Sequence, residues 1–441
     1  MAAGDAGDAE TAPQAPQAVL RSRRYMALLL LAALAGVPVS AAAFGFLAMV
    51  DALGRVLYTD LPKALGFAGT PLWWPLPLLA AGGALAGLSV RYLPGRGGHE
   101  PTGGLALGGG PPEPVELPGI LCAAAATLVF GAVLGPEAPL LAFGSGLAAG
   151  AVRLLGRDLP REAYPVMGAA GAFAAISALL GSPLLGAFLL LEAARLGGPM
   201  LQVVLLPGLL SAGIGSLIFT GLGSWTGLGA LSLTLRNVPG ASSPTIVEFG
   251  WALAIGVLAA ALAAGIRRLA RWLKARVEPR RVTGTVVMGL VVAGLAIAYT
   301  AATGKASSEV LYSGQFALDS LLTHSAAYSA GTLALLVVCK GLAYSASLSA
   351  FRGGPVFPAM FLGAAGGILL SGLPGLSLVA GFAMGIGAMS SAMLRLPMTS
   401  VLLATLLLGK EGLTVMPLVI VAVVVAFVAS SRLSPEPVHN R

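Results

Sequence analysis

The chain has 441 residues, 57% of them hydrophobic and 10% charged, with 61 glycines and a mean hydropathy of +0.89. No soluble globular or disordered class has that balance, and it predicts an all-α polytopic membrane protein. The formal charge of +8 is gathered in clusters, Arg21 with Arg23 and Arg24, then Arg267 through Arg281, a pattern of cytoplasmic loops and not of nucleic-acid binding.

Residues 1–20 are Ala, Gly, Pro, Gln and acidic residues without periodicity, which predicts a disordered cytoplasmic tail. Tyr25 to Val50 is uncharged and long enough to cross a hydrocarbon core of roughly 30 Å. A signal peptide is the competing reading, but no cleavage site with a soluble sequel follows. Further apolar runs lie at about 71–91, 117–134, 137–152, 163–180, 183–195 and 199–221. After a more polar stretch they resume at about 248–266, 282–303, 326–350, 355–372, 376–393, 397–409 and 413–430. The expected organisation is a transmembrane domain over 21–432, made of two repeats at about 25–221 and 248–430, and a short tail over 433–441. Many runs are too short to span or are broken by Gly and Pro; such half-spans are stable only where their free backbone groups face protein or a water-lined cavity. Cys122 and Cys339 both fall in apolar runs, so no structural disulfide is expected.

Leu134-Gly135-Pro136-Glu137-Ala138-Pro139 carries the one charge between Glu116 and Arg153. Pro136 falls near the first helical position and Glu137 in the first turn, where free N–H groups and the positive dipole end favour an anion. In a soluble protein Glu137 would merely complete a helix terminus. At membrane depth a carboxyl is costly, and by default it is a gate, a relay or a ligand. The halves also correspond. Gly135 to Pro139 has its counterpart in Gly353-Gly354-Pro355-Val356-Phe357-Pro358, and Ser182-Pro183, in a run ending at Glu192, matches Leu396-Pro397-Met398-Thr399, in a run ending at Lys410. Paired interrupted helices predict an inverted repeat with the substrate site at the midplane. Helix N-termini make that substrate an anion.

The segment Gly131 to Pro139 resembles the G-x-x-x-G-R-E-G-P signature of the CLC chloride channels and chloride/proton antiporters. Lys340 through Gly367, with Gly354-Pro355-Val356-Phe357-Pro358, resembles that family's G-x-F-x-P segment, Arg395 to Thr399 its R-x-P-x-T segment, and Ser182 to Glu192 its P-L-x-G helix ending in glutamate. Any one match is weak; four in order along residues 25–432 are specific. The resemblance implies a homodimer in a bacterial plasma membrane, with one pathway per subunit for chloride or another small anion, and with protons as second substrate where coupling is kept. It implies that Glu137 is the gate, and that Gly98, His99, Gly135, Ala138, Gly354, Val356 and Phe357 line the anion pathway. It implies no cofactor and no metal.

The departures are equally specific. Gly97-Gly98-His99-Glu100-Pro101 stands where the family has G-S-G-I-P, so Gly98 replaces the serine whose hydroxyl binds the central anion. The family's coordinating tyrosine falls in Ser431 to Pro435, and no tyrosine follows Tyr344. Pro136 and Pro355 have no N–H to give. The acidic pair of the coupled members reads Glu192-Ala193, which removes the inner proton relay. The chain stops at Arg441, so regulatory CBS domains are not expected. These departures predict a donor-poor central site and a passive or weakly coupled chloride transporter. The alternatives are a chloride/proton antiporter, a fluoride-selective relative and a non-conducting anion-sensing protein.

His99 and Glu100 are either replacement ligands or part of a solvated loop. His324 and His439 are isolated, no residue set has metal spacing, and Lys340, Lys410 and Glu411 read as snorkelling or paired residues at helix ends. An intramembrane enzyme would need a nucleophile with its base or H-E-x-x-H; neither occurs, and no enzyme is expected.

Overall fold

A computed structural model describes residues 20–105, 110–155, 163–194, 200–227, 234–235 and 237–433. The predicted N-terminal tail up to residue 19, His439 and the end of the Ser431 to Pro435 segment lie outside the described residues.

Helix α1 (Arg23–Arg55) begins where Ser22 Oγ accepts from the Tyr25 amide at 3.1 Å. It runs past the expected end at Val50 and continues through a π turn (Val56–Asp60) and a last turn (Leu61–Ala64). Asp51 does not stop it, because Arg55 one turn later pairs with that carboxylate at 3.0 Å. Prolines open α2 (Pro75–Tyr92) and α3 (Leu117–Leu128), where their missing N–H costs nothing. Helix α3 stops short of Leu134. The irregular backbone that follows is tied by Tyr58 Oη donating to Phe130 O at 2.8 Å and by the Val133 amide donating to Ser347 Oγ at 2.9 Å. Protein thus supplies the partners that lipid cannot. The first half continues with α4 (Glu137–Leu155), α5 (Ala163–Leu180), α6 (Pro183–Ala193) and α7 (Met200–Thr226).

The second half opens on a reciprocal cap between Thr245 and Glu248 that starts α8 (Ile246–Val277). It continues with α9 (Arg281–Thr303), the short α10 (Leu318–Thr323), α11 (Ala330–Ala350), α12 (Val356–Ser371), α13 (Leu378–Leu394), α14 (Pro397–Leu407) and α15 (Lys410–Leu433). Helix α8 corrects one expectation: it extends eleven residues beyond 266, so Arg267 to Arg276 form its last turns and are not a loop.

Among the described residues six helical segments are long and apolar enough to cross a membrane, whereas α3, α6, α12, α13 and α14 are too short. The chain is therefore an all-α, multi-pass membrane protein of two interlocked halves. Small residues let helices approach closely: Gly144 of α4 lies against Gly171 O of α5, and Gly363 of α12 against Gly385 O of α13.

Lys340 is a second correction. It sits in the middle of α11, fully buried, and does not snorkel. Its Nζ donates to the carbonyls of Glu309 (2.9 Å), Val310, Leu311 and Tyr312 (each 3.2 Å). Lys410 and Glu411 do open α15, and Glu411 accepts from the Ala241 amide at 2.6 Å.

Candidate anion site

The two halves meet at their interrupted helices. Gly135 N donates to Gly354 O at 2.8 Å and Gly354 N to Gly135 O at 2.6 Å, an isolated antiparallel bridge between the loops that precede α4 and α12. Pro136 and Pro355 follow that bridge symmetrically. Pro136 O accepts the first helical bond of α4, from Leu140 N at 3.0 Å, and Pro355 is the N-cap residue of α12. Both helix N-termini are thereby fixed back to back in the buried middle of the molecule.

Glu137 occupies the first turn of α4, as its sequence predicts, and is fully buried. Its carboxylate nevertheless serves the other helix. Oε1 accepts from the Phe357 amide in the first turn of α12 at 2.9 Å, while Oε2 has no hydrogen-bond partner. A carboxylate held by the free amides of a helix N-terminus occupies a ready-made anion position. Gly354 makes room for it, since a Cβ there would fall on Glu137 Oε2, and the same carboxylate blocks a Cβ at Gly135. Gly135, Gly354, Val356 and Phe357 are thus brought together around Glu137.

That contact yields a direct test. The backbone of Gly354 is not among the positive-φ positions, and the three atoms nearest to a Cβ added there all belong to Glu137, its Oε2 first and then its Cδ and Cβ. G354A is expected to expel Glu137 from its seat and to flatten the pH dependence of anion flux with the carboxyl group intact. Liposome flux measured across pH checks it; a wild-type pH profile in G354A would mean the carboxylate does not sit there during transport.

The loop from Pro94 to Gly104 behaves differently from the expectation built on its glycines. Gly98 has φ +78, and a side chain added to it would point at Ile120. L-residues avoid that conformation, so the absent serine reflects a different loop path and not a simple deletion. His99 Nε2 donates back to Gly104 O at 3.2 Å, and its ring shares a small cavity with Ala138, Ile120 and Gly353. Among the described residues the His99 ring bonds its own loop and not the Glu137 carboxylate, although it shares its cavity with Ala138, the next residue in the chain. Glu100 pairs with Lys274 and with Arg352, the latter at 3.5 Å. Burial would raise the Glu100 carboxyl, but the Lys274 hydrogen bond and the Arg352 charge hold it below the usual carboxylate range.

Glu192 has a structural occupation. Its Oε1 accepts from Met398 N at 2.8 Å and its Oε2 from Thr399 N at 2.7 Å and Thr399 Oγ1 at 2.6 Å, so α6 of one half caps α14 of the other. Tyr344 is the polar neighbour that the motifs do not reveal: fully buried on α11, it donates to Pro355 O at 2.8 Å. A tyrosine deep in an apolar run, eleven residues before Pro355, is the sequence signal for it.

Comparison with known proteins agrees with this architecture. Residues 82–431 match the family described as voltage gated chloride channel. YfeO, a proposed ion-transport protein of Escherichia coli O7:K1, is 26% identical over 361 residues, covering 79% of this chain and 80% of YfeO. The YfeO of Salmonella newport is 28% identical over 362 residues, covering 79% and 82%. In fold the chain is similar to a slow cyanobacterial Cl-/H+ antiporter, with TM-score 0.77 and 17% identity over 94% of this chain and 96% of the other. It is also similar to a CLC-type fluoride/proton antiporter, with TM-score 0.65 and 19% identity over 93% and 97%.

Proposed function

The chain belongs to the voltage-gated chloride channel family, and from that premise we propose that it carries chloride or a similar small anion across the bacterial plasma membrane through a pathway closed by Glu137. Transport is passive or weakly coupled to protons, the working unit is a homodimer with one pathway per subunit, and the chain is a transporter and not an enzyme. The observation that carries this is the Glu137 carboxylate on the Phe357 amide: an anion of the first half fills the helix N-terminus of the second, where a permeant anion would compete with it.

Weak coupling follows from the inner position. A proton moved against an anion needs an outer carrier and an inner one in series; Ala193 cannot titrate, and among the described residues the side-chain hydrogen bonds of Glu192 go to the start of α14. Its neighbour on the helix points about 100° away, so the one residue does not substitute for the other without a local shift. Coupled exchange is the second reading, favoured by solved neighbours of the same fold that are described as Cl-/H+ and fluoride/proton antiporters.

The test is the reversal potential of reconstituted protein under a chloride gradient, with and without an opposing pH gradient. A potential that follows chloride alone is expected. A shift of fixed size with the pH gradient would establish coupled exchange, and no flux of chloride, nitrate or fluoride from folded protein would sink transport altogether.

A further inference from the structure

From Val257 onward, α8 keeps one stripe turned away from the rest of the chain. Val257, Ala261, Gly265, Arg268, Trp272 and Arg276 follow one another by three or four residues, so they share about 100° of the helix circumference, and all six are exposed. Arg267, next to Arg268 in sequence, turns inward instead and donates to the Ala392 carbonyl. The first part of the stripe, Val257 to Gly265, is apolar and belongs to a segment long and apolar enough to cross a membrane, so it faces acyl chains. Its character then changes within one turn. Arg268, Trp272 and Arg276 complete it, and the exposed Arg280 follows. The Arg276 guanidinium lies 3.3 Å from the centre of the Trp272 ring and donates through Nη1 to Trp272 O at 3.2 Å, while Trp272 itself stays 53% exposed.

No acidic side chain among the described residues neutralises this end of the helix. Arg268, Arg276 and Arg280 form no ion pair there, and the carboxylates of Glu278 and Glu100 are engaged by Arg281 and by Lys274 and Arg352. The helix dipole accounts for cations in the last turn only, whereas Arg268 stands nine residues before Val277, where α8 ends. Gly265 has open space where a Cβ would stand, which leaves a notch in the stripe one turn before Arg268. An apolar track that passes into an indole and then into unpaired guanidinium groups repeats the order of a phospholipid: acyl chain, interfacial glycerol, phosphate. We propose that this end of α8 binds an anionic phospholipid of the cytoplasmic leaflet. Arg268 and Arg276 take the phosphate, for which a guanidinium fork is the matching donor; Trp272 lies at the level of the glycerol, and an acyl chain fills the notch at Gly265. The lipid is anionic because a zwitterionic headgroup brings its own ammonium, which would meet Arg276 and Arg280 with like charge.

The site is independent of the transport proposal and is tested without flux. The full-length chain is reconstituted into phosphatidylcholine vesicles that contain rising fractions of brominated phosphatidylglycerol or, in parallel, of brominated phosphatidylcholine. The Trp272 signal is the emission lost in Trp272→Phe, which removes the contributions of Trp73, Trp74, Trp225 and Trp251. Each arginine near an anionic surface contributes about fivefold in affinity, so at low salt brominated phosphatidylglycerol is expected to quench that signal at a fraction about tenfold lower than brominated phosphatidylcholine does. The preference should fall about fivefold or more in Arg268→Gln/Arg276→Gln and shrink at high salt. Equal quenching by the two lipids, no quenching of Trp272 by either, or an unchanged preference in the folded double variant overturns the inference. Should the double variant not fold, wild type decides: a preference undiminished at high salt overturns it as well.

Discussion

Replacing Glu137 with glutamine is expected to make anion flux independent of pH and to raise it about 10- to 100-fold at neutral pH, the weight of one charge-assisted hydrogen bond. Oε1 of Glu137 holds the Phe357 amide at 2.9 Å in a fully buried position, and its charge is what a permeant anion must outcompete. Protonation removes that charge without changing the shape of the side chain. Wild-type flux should therefore rise as the pH falls and Glu137 takes up a proton. E137Q, permanently neutral, should sit at the acid plateau throughout. Stopped-flow or electrode measurement of chloride efflux from liposomes decides it, and a folded E137Q protein that keeps the wild-type pH slope would remove Glu137 from the mechanism. Together with G354A, which displaces the same carboxylate without neutralising it, the experiment separates the charge of Glu137 from its position.

What the sequence reveals of this site is local, and what it hides is long-range. The Pro-Glu pair announces a helix start and an anion-binding terminus, and Glu137 does stand in the first turn of α4. Nothing within the segment says that the carboxylate will serve α12, because the partner amide lies 220 residues away and is delivered only by the bridge between Gly135 and Gly354. The missing serine at Gly98 is legible as a lost hydroxyl, but its cause is a backbone with φ +78, which composition does not show. Arg267 is hidden for another reason. In Arg267-Arg268-Arg271-Lys274-Arg276, spacing alone does not identify the residue that faces a neighbouring helix; it takes α8 continuing beyond residue 266, and packing of its last turns beside α13, to bring the half-buried Arg267 onto the Ala392 carbonyl and leave Arg268 and Arg271 exposed. Glu192 is legible as a helix-end carboxylate, yet its three contacts all belong to α14. The misses at Glu137 and Glu192 have the same physical origin: an inverted repeat satisfies the free backbone groups of one half with side chains of the other.

Replacing Lys340 with methionine is expected to cost at least about 3 kcal/mol of stability, since unsatisfied buried acceptors cost about 1–3 kcal/mol each and Lys340 Nζ serves four carbonyls, Glu309 to Tyr312. Methionine fills much of the same volume, so the loss is of hydrogen bonds and charge more than of packing. The ammonium also lies 4.4 Å from the centre of the Phe361 ring on α12 and loses that contact. The damage should reach the gate, because the segment Lys340 gathers is the one that supports the gate loop. Tyr312, held with φ +58, donates its amide to Gly131 O at 3.0 Å, four residues before Gly135. Loosening Glu309 to Tyr312 removes that prop from the irregular backbone leading into α4. K340M is thus expected to unfold at lower denaturant in detergent and, where it still folds, to conduct with a weakened pH dependence as Glu137 loses its fixed approach to Phe357. Equilibrium unfolding of K340M beside E137Q checks the first part: E137Q should keep wild-type stability or exceed it, because it removes a buried charge with an unsatisfied oxygen, whereas wild-type stability in K340M would show that the four carbonyls find water or other donors without the ammonium.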